Sequence, residues 1–102
     1  MEKPAEKGTF VLTTNFICFS SRTVKLIIPI LDLVGIEKIE PELLITKNWG
    51  VKILLPEEDK TYIFSFDKKK EFIERLTERI RENWRNALSS SNRCKIIHLG
   101  QE

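Results

Sequence analysis

The sequence predicts a mainly β domain with one C-terminal helix: a seven-stranded antiparallel, partly open barrel capped by an amphipathic α-helix over about residues 67–88. Two observations predict the strands. Apolar residues alternate with polar ones in short runs between residues 8 and 66, and turn-type residues separate the runs at hairpin spacing. A third predicts the cap, because after Phe66 the apolar spacing changes from two to the helical period.

The lead MEKPAEK (residues 1–7) has neither periodicity and is expected to be a disordered lead or a cloning scar. From Gly8, Phe10 and Leu12 alternate with Thr9 and Val11, which gives the first strand. Thr13-Thr14-Asn15 forms a turn, with Asn15 suited to positive φ. The short break pairs this strand with Phe16 to Ser21. Val24 to Ile30 is the third strand, and Pro29, which has no N–H to donate, ends it or places it at an edge.

Leu33 to Ile39 is the fourth strand, stopped by Glu40-Pro41-Glu42. Leu43 to Lys47 and Val51 to Leu55 are the fifth and sixth, joined by the turn Asn48-Trp49-Gly50. The charged loop Pro56 to Lys60 leads to the seventh, Thr61 to Phe66, which is aromatic and β-branched. Phe72, Ile73, Leu76, Ile80, Trp84, Ala87 and Leu88 then fall within one arc of about 160° at helical spacing. Asp67 is the expected N-cap and Ser89 to Asn92 the expected stop, leaving residues 89–102 as a tail with a short strand at 95–99.

The 102 residues make one domain, and 41% hydrophobic with 31% charged residues is a globular composition. A net charge of +2 is too small to predict nucleic-acid binding, and alternation sends most aromatic side chains inward rather than between the lysines. The longest apolar run, Leu26 to Leu33, is far short of the roughly 20 residues a spanning helix needs. Cys18 and Cys94 form no CxxC pair, and the start lacks a signal peptide's apolar run, which together suit a reducing, cytoplasmic setting. Cys18 is expected to be a small buried hydrophobe.

The only histidine, His98, has no cysteine at ligand spacing, so neither metal nor cofactor is expected. No nucleophile with its base, glycine-rich phosphate loop or paired-acid motif occurs, and the chain reads as non-catalytic.

Lys68-Lys69-Lys70 is the most notable charge cluster. Cations beside the donor end of a helix make a place for a phosphate or anionic head group, although the same run also serves as a solvated helix start. Arg22 and Lys25 at the second turn, with Lys47 and Lys52 around the Asn48–Gly50 turn, could extend it to a weak basic patch on one rim. Trp49 suits an interface anchor by its amphipathic ring, or packing back on the barrel.

The succession GTFVLTTNFICFSS, VKLIIPILDLVGIEKI and YIFSFDKKKEFIERL resembles a GRAM domain of the pleckstrin-homology-like superfamily, over Gly8 to roughly Ile80. It looks most like those ahead of TBC-type Rab GTPase-activating domains. The resemblance implies a pleckstrin-homology-like barrel within a larger protein, a membrane- or partner-docking role, and peripheral contact with phosphoinositides or other anionic lipids. It also implies a link to Rab GTPases through the parent protein. Two departures stand out: no strand segment precedes the glycine, and Thr13-Thr14-Asn15 lacks the basic loop of tight phosphoinositide binders, so lipid contact should be weak. The other reading is a protein-interaction or intramolecular scaffold domain without lipid binding, using a sheet edge or the outer helix face.

Overall fold

The computed structural model describes residues 6–41, 48–57 and 60–100, with residues 91–100 as backbone only. The chain is mainly β: two three-stranded antiparallel sheets and one C-terminal helix. The first sheet holds β1 (Gly8–Leu12), β2 (Phe16–Ser21) and β3 (Lys25–Pro29) in that order. The second holds β4 (Gly35–Ile39), β5 (Gly50–Leu54) and β6 (Thr61–Ser65), followed by α1 (Lys70–Gly100). The expected strand Leu43 to Lys47 lies outside the described residues, which contain six strands.

Alternation sets the two faces of the first sheet. Phe10, Leu12, Ile17, Phe19, Leu26 and Ile28 join the core, while Val11, Cys18 and Ile27 point away from it. Cys18 is therefore half-exposed rather than buried, because its neighbours Ile17 and Phe19 take the inner positions. Pro29 closes β3 at the edge of the sheet, where its missing N–H costs no ladder bond. The β1–β2 turn is fastened by Thr13, whose Oγ1 accepts from the Phe16 N–H at 2.9 Å. Asn15 does not adopt positive φ; its carbonyl instead accepts from the Ile30 N–H at 2.9 Å.

Between the sheets, Ile30–Asp32 forms a 3₁₀ turn, closed by the Leu33 N–H on the Ile30 carbonyl at 3.1 Å. That turn absorbs the start of the expected fourth strand, so β4 begins at Gly35 rather than Leu33.

The sheets share one core. Ile17, Ile30, Val51, Ile53, Ile73 and Ile80 are fully buried, each contributing about 1.5–3 kcal/mol of transfer free energy. Phe10 on β1 meets Phe64 edge-on at 5.1 Å and Phe66 at 5.2 Å, and Phe66 meets Phe72 at 5.7 Å. This chain of rings runs from the first sheet across the end of β6 to the first turn of α1.

Among the described side chains of α1, two polar ones are also buried. Thr77 donates to the Ile73 carbonyl at 2.7 Å, and Asn83 Nδ2 donates to the Thr13 carbonyl at 3.1 Å. Both are satisfied, so burying them carries no unpaired donor.

The helix departs from the expected bounds at both ends. Lys69, not Asp67, stands at the N-cap, since its carbonyl accepts from the Phe72 N–H at 3.0 Å and the Ile73 N–H at 3.4 Å. At the far end the helix continues through the serines to Gly100, and residues 95–99 are helix rather than strand. No glycine or proline occurs between Thr61 and Leu99, and each residue added to an existing helix gains a hydrogen bond for a serine cost of only about half a kcal/mol.

Candidate functional site

The first turn of α1 gathers charge from two elements. Lys70 Nζ lies 3.9 Å from Glu74 Oε2, and Lys38 Nζ reaches the same oxygen from β4 at 3.4 Å. All three side chains are roughly half exposed, so these contacts arrange the surface more than they stabilise the fold.

Aromatic rings set the remaining geometry. Lys68 Nζ sits 5.6 Å from the centroid of Phe72, and Lys70 Nζ sits 5.9 Å from that of Trp49. Both fall within cation–π range. Trp49 is half-buried against the core and accepts from the Phe66 N–H at 2.9 Å through its carbonyl. Its ring thus packs on the core while serving as a platform for Lys70. Lys69 is exposed and, among the described residues, makes neither an ion pair nor a ring contact.

The other expected residues divide. Arg22 lies in the β2–β3 turn and Lys25 opens β3. Ser21 pairs with Gly8; the centre of β1, Phe10, contacts Phe66 beside Phe72, and the Thr13 end of β1 meets Asn83 well along α1, so this turn lies toward the helix start rather than toward its middle. Lys52 does not join them. It lies opposite Glu37 in register, on the face of the second sheet away from Val51 and Ile53. Lys47 is outside the described residues. Lys38 belongs to the cluster but had no sequence signal beyond an exposed position in a strand; only the seating of α1 on β4 brings it to Glu74.

Near the β2–β3 turn, Glu6 accepts hydrogen bonds from the hydroxyls of Ser21 and Thr23, the latter at 2.9 Å. These bonds, the Ser21 contribution being the larger, hold the Glu6 carboxyl below its ordinary range. Glu6 is thus fastened to the β2–β3 turn, while residues 1–5 of the expected lead or cloning scar lie outside the described residues.

A groove opens elsewhere, between the entry to β4 and the middle of α1. Leu33, Val34 and Ile36 line one wall and Ile80 and Trp84 the other, around about 290 Å³. Arg81 and Arg85 stand at the same place, and each also reaches Glu78, at 3.9 and 3.6 Å. Trp84, in the helix's apolar arc, is half-buried, packing against the core and lining this groove.

Among the described residues no cluster of His, Cys, Asp or Glu is placed to hold a metal ion, and no helix is long and apolar enough to cross a membrane. No protein-family model matches this chain, nor does any curated protein or solved structure.

Proposed function

We propose that the chain is a non-catalytic docking module of the GRAM type, its two sheets forming a pleckstrin-homology-like barrel, that holds a larger protein weakly against anionic lipid on the cytoplasmic face of membranes. In this reading a link to Rab GTPases would come through the parent protein. One observation carries the lipid part: basic residues from three separate segments, Arg22 with Lys25, Lys38, and Lys68 to Lys70, lie toward the end of the molecule that holds the donor end of α1. A phosphate there meets backbone N–H groups and several ammonium groups at once. Asp67, Glu71 and Glu74 share this end, so net attraction is modest and the contact weak.

Co-sedimentation with vesicles of rising phosphatidylserine or phosphoinositide content tests this. Binding should rise with anionic lipid. Changing Lys68, Lys69 and Lys70 together to Glu should weaken it by about a hundredfold or more, since losing the three lysines alone costs about 1 kcal/mol each. Binding indifferent to both lipid charge and these substitutions would overturn the proposal.

The Arg81–Arg85 groove favours a second reading, a protein-interaction or intramolecular scaffold role. β4 has β5 on one side and no strand on its other side among the described residues. An extended segment could add there, with an apolar side chain in the groove and an acidic one toward the arginines.

A further inference from the structure

The outer face of the first sheet is not the polar surface that solvation would call for. Val11, Cys18 and Ile27 face one another across the three strands in register, and directly opposed residues share a face. Val11 is 47% exposed and Ile27 68%. Two residues along, Phe16, 41% exposed, opposes the exposed Pro29. Two residues the other way, the row becomes Thr9, Ser20 and Lys25, and the adjoining turn carries Arg22. The surface thus changes from apolar to basic within about 7 Å. The second sheet shows the contrast, since the central row of its outer face is Glu37, Lys52 and Ile63.

We propose that this face enters the head-group boundary of an anionic membrane. Val11, Phe16, Ile27 and Pro29 dip into the interface while Arg22 and Lys25 stay among the phosphates. The inference rests on the lipid-docking reading above and adds to its basic rim an apolar surface that borders Arg22 and Lys25. Scattered exposed apolar residues need no explanation; here four lie together on one sheet face with cations at its border. Neither Arg22 nor Lys25 has an ion-pair partner among the described residues. The exposed Lys7 adds a third positive charge beside them, and the Glu6 carboxylate, held by Ser21 and Thr23, offsets one. The area argues against a protein occupant. Three strands of five or six residues present a footprint of roughly 10 by 17–20 Å, well short of the about 800 Å² per partner that stable association needs. A lipid surface requires no such complementary area, since insertion by 5 to 10 Å and nearby positive charge together suffice.

Cys18 lies in the centre of the apolar row and supplies the reporter. With Cys94→Ser in the full chain, the alkylation rate of Cys18 is measured with phosphatidylcholine vesicles and with mixed phosphatidylcholine and phosphatidylserine vesicles, alongside co-sedimentation. Alkylation should slow several-fold on the mixed vesicles alone. Ile27→Thr, which keeps β-branching at an exposed edge position, should weaken sedimentation several-fold with an unchanged thermal midpoint. Sedimentation on mixed vesicles with Cys18 unprotected and Ile27→Thr binding normally would overturn this face while leaving the lipid reading intact. No sedimentation on either vesicle would remove both. A lipid-free dimer that Ile27→Thr dissociates, seen by light scattering, would make a second copy the occupant and overturn the proposal.

Discussion

Glu6 illustrates how one exposed side chain can govern a turn. Its carboxyl is held below the ordinary carboxylate range by the Ser21 and Thr23 hydroxyls, so the ionised form is the one the fold favours. A depressed acid contributes stability that is present above its unfolded pKa and lost as pH falls through the folded one. The fastening of residue 6 to the β2–β3 turn should therefore hold at neutral pH and release below the ordinary carboxylate range. An NMR titration checks this: Ser21 and Thr23 amide shifts should move together at a midpoint below that of a free glutamate, and Glu6→Gln should abolish the step. This contact joins residues 15 and 17 positions apart, so no local pattern announces it. The same is true of Lys38, which enters the candidate site only through Glu74, 36 residues away. Lys68, Lys69 and Lys70 were legible as a cluster, but they read as equivalent in sequence. The rings of Phe72 and Trp49 distinguish them, and ring positions depend on packing.

At the scale of elements, strand existence was legible because a period of two needs only a few residues to declare itself. Phe16–Ser21 matches its expected bounds, and the other described strands lie within two residues of theirs. Boundaries moved where tertiary contact outweighs pattern. The 3₁₀ turn took Leu33 because its N–H found Ile30, and α1 ran past Ser89 because no glycine or proline interrupts the chain there. Pairing also explains a glycine that sequence reading treated only as part of a turn. Gly50 is buried between β4 and β6, and a Cβ there would collide with the Phe64 carbonyl on the adjacent strand. Gly50→Ala should therefore lower stability by about 1–3 kcal/mol, as overpacking does, visible as a lower midpoint in urea. An unchanged midpoint would mean that β5 and β6 separate at little cost.

For the whole molecule, one cluster contains Ile17 and Ile28 from the first sheet, Val51, Ile53 and Phe64 from the second, and Ile73 and Ile80 from α1. Neither sheet has a core of its own. Unfolding should be a single transition, with far-UV circular dichroism and tryptophan fluorescence giving coincident urea curves. Curves separated along the denaturant axis would show that one sheet outlives the other. The general class, strands then a capping helix, was legible from the change of period at Phe66. The groove beside Trp84 was not, because its two walls lie more than forty residues apart in the chain and each wall alone resembles ordinary core.

The bond from Asn83 to the Thr13 carbonyl bears on the order in which this chain folds. It closes a loop of 70 residues, and the entropy of such closure must be met before the contact gives anything back. The β1–β2 hairpin, closed over three residues, can form in microseconds on its own. The acceptor can thus form before its donor arrives, and the helix is expected to seat on that turn in the late, slow part of folding.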